Sequence, residues 1–444
     1  MRLRTQVIWS FALKGLGAAL ALAVSWGVAR LYGSLGSGLY AIGQTTVQVI
    51  GFVAIIGLDS IMLRTMAREV RVDRRDLARG SVAVAVRVAL PTALLMALLL
   101  LLLGPRLASA IAEPGAGLVL AIVSPAVVGI VAMRLGSFAL RGAERPILSQ
   151  VLEGPLTSGL AVIMLGGLAL APVLPPVWVL ALVYTASMLI TAAFGWIAWW
   201  RVVRHWPAAV RPPARPMLIA GVPVMISVVT GFGIDWLSIM LTSYFASPQA
   251  AGTLRVAAQT LLVTNLVVAS FDAILGPRLA ANWRMGEKAA IARAMRQTII
   301  GCMAAASPLF ILVLGWPELV MGLFGPEFVS GATALQIIAI GNLAALSSGP
   351  VGTLLIMSGH ERWSIGFSLV GIAVLIGLSI WLVPIHGVTG AAIAVTSTIF
   401  ARRILASLVV RYVVGIRIWD FGRGQPAGRP PAPPANPPPP TDAD

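Results

Sequence analysis

The 444-residue chain holds one cysteine, Cys302, only 3 histidines, and 16 acidic residues against 32 basic ones. A lone cysteine cannot bridge to itself, which excludes an intramolecular disulfide framework and a cysteine-based metal site. His205, His360 and His386 fall in three separate connections, without the spacing that a metal ion requires. The pattern Gly-x4-Gly-Lys-Ser/Thr is absent too, so ATP is not used through a P-loop. The outer connections carry almost no carboxylate or imidazole that could be held over a reacting bond, and the chain reads as a non-enzyme with no cofactor and no metal.

Charge of either sign is scarce. Charged residues make up 11% of the chain and hydrophobic ones 58%, with a mean hydropathy of +0.91; a soluble domain has roughly 25% and 45–50%. These values describe an integral membrane protein. The net charge of +16 would suit nucleic acid if it formed one soluble face, but the basic residues sit in short clusters between apolar runs. No nucleic-acid partner is expected.

Apolar stretches near the ~20 residues needed to cross a bilayer occur at 7–31, 39–63, 80–103, 117–140, 147–171 and 177–200. Six more follow at 218–245, 253–277, 295–315, 331–357, 364–383 and 389–413. The expected fold is all-α, with twelve transmembrane helices. The first run is read as a retained span, because no small-x-small cleavage site ends it at "GVARLY". Basic residues crowd alternate connections: Arg2 and Arg4, the cluster from Arg64 to Arg79, Arg141 and Arg145, Arg201 to Arg215, Arg278 to Arg296, Arg362, and Arg402 onward. Arg30, Arg106 and Arg255 are what the other side offers. Since Lys and Arg accumulate inside, both termini are expected in the cytoplasm. Residues 421–444 have the composition of a disordered Pro-rich cytoplasmic tail.

The chain also matches itself. At an offset of 217 positions, Arg145 meets Arg362, Glu144 meets Glu361, Gly142 meets Gly359, Gly154 meets Gly371 and Pro91 meets Pro308. A few residues of gap bring "GLYAIGQT" (Gly38–Thr45) beside "GTLRVAAQT" (Gly252–Thr260), and Asp59 beside Asp272. Residues 1–210 and 211–420 are therefore expected to be two six-helix bundles. An even number of spans gives both the same orientation, so a pseudo-two-fold along the membrane normal should relate them. The two Gly-x-Glu-Arg islands become one hairpin, repeated.

Charges inside the spans single out site candidates, because each is costly in hydrocarbon unless it faces protein or a wet cavity. Lys14, Arg87 and Arg134 fall at similar depth in the first half; converging, they would suit a phosphate or diphosphate, and separately they would snorkel to the headgroups. Arg255 lies near an outer span end. Asp235, about 18 residues along the seventh span, is either an ion-coupling carboxylate or the partner of Arg255 in a structural salt bridge. Gln44, Thr45, Thr46 and Gln48 in span two, with Gln259, Thr260, Thr264 and Asn265 in span eight, form polar stripes that can bind sugar hydroxyls or join helices.

In order along the chain, "LYGSLGSGLYAIGQT", "LRGAERPILSQ", "GVPVMISVVTGFGIDWLSIML", "LFGPEFVSGATALQIIAIGN", "SGHERW" and "HGVTGAAIAVTSTI" resemble the polysaccharide or O-antigen repeat-unit flippases. These belong to the multidrug/oligosaccharidyl-lipid/polysaccharide exporter superfamily. The resemblance implies a flippase of the bacterial inner membrane that moves undecaprenyl-diphosphate-linked oligosaccharide to the periplasmic leaflet by alternating access, coupled to an ion gradient, for cell-surface polysaccharide. Its partners would be the lipid-linked oligosaccharide, membrane lipids, and the polymerase and glycosyltransferases of the same pathway. Leu254 stands where the resemblance leads one to expect a tyrosine, and Arg255 follows it. Twelve spans also set the chain apart from the fourteen-span relatives that carry the peptidoglycan precursor. A drug or cation antiporter of the same superfamily is the alternative, and a non-transporting scaffold working through its tail is a third.

Overall fold

Hydrocarbon offers a peptide group no hydrogen-bond partner, so a chain this apolar satisfies its backbone internally, as helices. The computed structural model describes residues 3–109, 114–358, 360 and 362–415, and among them there are helices and turns but no strand. The Pro-rich tail, Gly359 and Glu361 lie outside the described residues.

The first elements are α1 (Leu3–Ile55), α2 (Leu58–Arg71), α3 (Arg75–Ser109) and α4 (Pro114–Gly142). They are followed by α5 (Pro146–Val151), a π turn (Leu152–Leu156), α6 (Thr157–Ala169) and α7 (Val179–Val203). Next come α8 (Ala214–Phe245), α9 (Pro248–Thr260), α10 (Leu262–Arg284) and α11 (Lys288–Gly315). The chain continues through α12 (Pro317–Gly322), a 3₁₀ turn (Pro326–Gly331), α13 (Ala332–Ser347), α14 (Val351–Met357) and α15 (Arg362–Val409). Among the described residues, ten helical stretches are long and apolar enough to cross a membrane.

Two of these, at 44 and 52 residues, are too long for one crossing, since ~20 residues span the ~30 Å hydrocarbon core. Each contains one non-helical residue, Gly33 (φ 66°) in α1 and Gly387 (φ 53°) in α15, where the absent Cβ makes a left-handed turn cheap. Around Gly387 the helix folds back: Thr398 Oγ1 donates to Gly371 O at 3.4 Å, Arg402 reaches Ser368, and Gly390 packs on the Leu382 carbonyl. Those pairs run in antiparallel order. Val24 and Tyr40 share one apolar cluster across the Gly33 turn.

Contacts fix the two ends of the molecule. At one end Arg79 donates to the carbonyls of Trp206 and Pro207, Val210 N donates to Asp76 O, and Gly142 rests on Met66. At the other, Arg30 and Trp26 both donate to Leu323 O at 3.0 Å, and Ser34 donates to Glu327 at 2.6 Å. The Arg-rich connections of the first half, 64–79, 141–145 and 201–215, meet at the first end. Along α3, Leu94, Leu95, Leu98, Leu101 and Leu102 point outward, as a helix bathed in lipid would direct them.

Some element boundaries fall within a residue of the 217-residue offset, while others, such as the start of α2 at Leu58, have no counterpart there. Pro91 lies inside α3 and Pro308 inside α11, α4 opens at Pro114 and α13 at Ala332, and α5 opens at Pro146 and α15 at Arg362. The Gly142–Arg145 island is a tight turn, with Glu144 at φ 60° and Arg145 N donating to Leu140 O at 2.9 Å. Several expected spans are interrupted: the second at Gly57 (φ 67°), the fifth by the π turn over Pro155, the eighth at Leu261 and the tenth near Gly349 (φ 74°). Hydropathy does not register such breaks, because the residues on either side remain apolar.

Candidate functional site

A cavity of about 280 Å³ opens at mid-height of the first half and reaches the second. Its wall is polar where α1 passes, through Ser25, Tyr40, Gln44 and Gln48. Glu153, Thr157 and Ser158 add to it from the α5–α6 region. This segment approaches α1 closely because Gly17 faces Gly154 and Pro155, where a Cβ would lie 3.2 Å from Pro155 Cδ. Pro155 cannot donate its missing N–H, and the π turn around it accommodates the loss. Tyr184 and Ser187 come from α7, while Phe232 on α8 and Gln259 on α9 bring the second half to the wall.

Arg134 is the cation in that lining, and it is held from several sides. Its Nε and Nη2 donate to Asp59 Oδ2 at 3.0 and 2.5 Å, and Phe52 and Phe138 cover it at 4.8 and 5.0 Å. Asp59 sits in the first turn of α2, behind Gly57, and is buried. Glu153 is matched likewise: Arg141 Nη2 lies 2.8 Å from both its oxygens, and Ser137 donates to it. The carboxylates and guanidiniums of this wall thus neutralise one another. The hydrogen-bonding groups are less satisfied. Tyr184 Oη and Gln259 Oε1 are buried without a protein partner among the described residues.

Arg255 on α9 donates to Gln44 Oε1 at 3.0 Å, joining the second half to the cavity wall of the first. Nearby, Trp236 Nε1 donates to Thr46 Oγ1 at 3.0 Å, and Tyr40 and Tyr184 meet edge to face at 5.9 Å. Asp235, on α8, is exposed and lies in the field of both Arg255 and Arg402. It is in none of the ion pairs among the described residues.

Of the three cations singled out in the first half, only Arg134 lines this cavity; Lys14 on α1 and Arg87 on α3 are exposed outside its wall. Gln44, Gln259 and Arg255 do come together there. Asn265 lies on α10, and its side chain is not among those described. Arg402 and Arg403, counted above with the cytoplasmic connections, instead lie within α15 and line cavities. The signal was available, since both interrupt the apolar run 389–413. Among the described residues no His, Cys, Asp and Glu cluster could hold a metal ion.

No protein-family model and no curated protein matches the sequence. Solved structures do resemble it. An inward-facing multidrug resistance MATE family transporter of the MOP superfamily superposes with a TM-score of 0.70 at 16% identity, over 92% of this chain and 98% of that one. The lipid II flippase MurJ, in an inward closed conformation, gives 0.73 at 12% identity, over 91% and 87%. An outward-facing MATE family transporter gives 0.60 at 16% identity, over 92% and 94%. The chain is a multi-pass membrane protein whose fold is that of these transporters and flippases.

Proposed function

We propose that this protein is a flippase that carries undecaprenyl-diphosphate-linked oligosaccharide from the cytoplasmic to the periplasmic leaflet by alternating access, for cell-surface polysaccharide biosynthesis. The observation that carries the reading is the mid-height cavity, where Tyr184 Oη and Gln259 Oε1 lack a protein partner among the described residues while Arg134 and Glu153 are paired with opposite charges. Such a wall suits a bulky, uncharged, hydroxyl-rich cargo. The likeness of the fold to the lipid II flippase MurJ supports this reading, while the likeness to the multidrug resistance MATE transporter is shared with the antiporter alternative.

In this reading the chain crosses the bacterial inner membrane twelve times, with Gly33 and Gly387 as the turns that split α1 and α15. Residues 1–210 and 211–420 are the halves that rock against each other, and residues 421–444 form a cytoplasmic tail beside the cytoplasmic amino terminus. Gln44, Gln259 and Asn265 receive the sugar. Arg255 and Arg134 border it, and the exposed Lys14 and Arg87 gather the diphosphate near the entrance. Asp235, accessible and flanked by cations, couples the cycle to an ion gradient. The polymerase and glycosyltransferases of the pathway are its protein partners. A drug or cation antiporter would need a carboxylate in that cavity wall free to meet a positive cargo, whereas Glu153, the carboxylate in the lining, is held by Arg141.

The test is the lipid-linked oligosaccharide pool in cells lacking the protein, with the glycan assigned to one leaflet. Accumulation on the cytoplasmic face, reversed by the wild-type gene, is expected. An unchanged pool with new sensitivity to cationic compounds would favour the antiporter.

A further inference from the structure

Several polar groups in the wall of the mid-height cavity are used within the protein. Ser187 Oγ donates to Val183 O at 2.7 Å, Thr157 Oγ1 donates to Thr191 Oγ1 at 3.1 Å, and Gln44 Oε1 accepts from Arg255. Tyr184 Oη and Gln259 Oε1 differ. Both residues line the cavity, at 4% and 7% exposed, and neither atom has a protein partner among the described residues. A buried polar atom without a partner is costly, so two of them on one wall mark groups that a ligand would satisfy.

Local structure fixes both side chains. Thr185 Oγ1 of α7 donates to Ile122 O of α4 at 3.1 Å, and Gly129 of α4 lets Met188 close in, since a Cβ there would fall 3.2 Å from Met188 Cγ. The Tyr184 ring is braced edge to face by Tyr40. Four residues separate Tyr184 from Met188, so the two share a helix face, and both line the cavity beside Ile130 and Met133 of α4. The hydroxyl therefore borders an apolar patch. Gln259 arrives from the other half on the last turn of α9, whose Gly252 rests on Gly38. The cavity, about 280 Å³, lies below the ~300–1,000 Å³ of sites for drug-sized ligands, so it takes one sugar ring and not a whole oligosaccharide.

The wall thus offers an O–H donor, a carbonyl acceptor and an apolar patch. An acetamido group carries the complement of all three: a carbonyl that accepts, an N–H that donates, and a methyl. We propose that this cavity selects a sugar ring bearing an acetamido group, with Tyr184 Oη donating to its carbonyl, its N–H donating to Gln259 Oε1, and its methyl against Met133 and Met188. The proposal deepens the flippase reading and rests on it for the presence of a glycan. A ring with a hydroxyl in that position has no methyl for the patch and must serve both protein atoms from one oxygen. Tyr184 and Gln259 belong to different halves, so the acetamido ring would also bridge the seam between them.

The test uses the full chain in nanodiscs, titrated with undecaprenyl diphosphate bearing a single N-acetylglucosamine and, separately, a single glucose. Wild type should bind the first about tenfold more tightly. Tyr184→Phe and Gln259→Met, which nearly keep side-chain volume, should each shrink that ratio several-fold. Since Tyr184 Oη has no protein partner among the described residues, Tyr184→Phe should unfold no lower than wild type, which separates lost recognition from lost structure. Equal affinity of wild type for the two probes, or binding of neither, would overturn the acetamido site and leave the flippase reading to the leaflet distribution. A preference that both variants retain would overturn the assignment to these residues. A preference lost in the variants, in a protein whose deletion leaves the leaflet distribution unchanged, would keep the site and remove the flippase reading.

Discussion

Gly38 and Gly252 lie backbone against backbone at the seam between the two halves, where a Cβ on Gly252 would fall 3.2 Å from Gly38 Cα. The internal repeat also aligns these two glycines. The contact brings the backbones of α1 and α9 together with no side chain between them. Gly252→Val should therefore wedge the halves apart. The expected cost is about 1–3 kcal/mol, as for overpacking elsewhere, seen as a lower unfolding temperature in detergent. A Gly252→Val protein as stable as wild type would mean that the seam is not tightly packed.

The same seam is latched near Gly33, where Ser34 donates to Glu327 and where Arg30 and Trp26 both donate to Leu323 O. All these contacts lie at the end away from the Arg-rich connections, which closes that end. Glu327→Ala should let water reach the cavity from outside. In a Cys302→Ser background, a cysteine introduced by Gln44→Cys should then react several-fold faster with a membrane-impermeant maleimide added externally. Equal rates with and without Glu327→Ala would remove the latch from the account.

Asp59 and Arg134 form a pair in which the carboxylate is 5% exposed and the guanidinium 22%. Removing Asp59 alone leaves Arg134 with its aromatic neighbours only. Asp59→Ala should cost about 2–3 kcal/mol, below the ~3–5 of a wholly buried pair because Arg134 retains some contact with water. Asp59→Ala/Arg134→Leu should recover part of that loss. Thermal unfolding of the three proteins checks it, and a double variant less stable than the single one would contradict it.

Much of this architecture is legible in the sequence, because apolar runs and alternating basic clusters report bilayer physics directly. The Gly142–Arg145 turn and the in-helix prolines Pro91 and Pro308 were likewise recoverable from self-comparison. Breaks at Gly57 and Leu261 were not, since flanking residues stay apolar on both sides. Pairing was the harder part. Depth along a span marks Arg134 as costly, yet nothing in the sequence says that Asp59, 75 positions away, reaches it. For Arg402 and Arg403, proximity to the carboxy-terminal basic cluster concealed their place inside a helix, and only the fold-back at Gly387 shows what they face.

The most direct test of the central claim is transbilayer movement in proteoliposomes. The purified protein would be reconstituted with a fluorescent undecaprenyl-diphosphate oligosaccharide and the label exposed outside quenched over time. The account predicts protein-dependent movement of the lipid between leaflets, slowed by Gln44→Ala/Gln259→Ala, with no uptake of a cationic dye. Dye uptake driven by an ion gradient, with the lipid confined to its original leaflet, would contradict it.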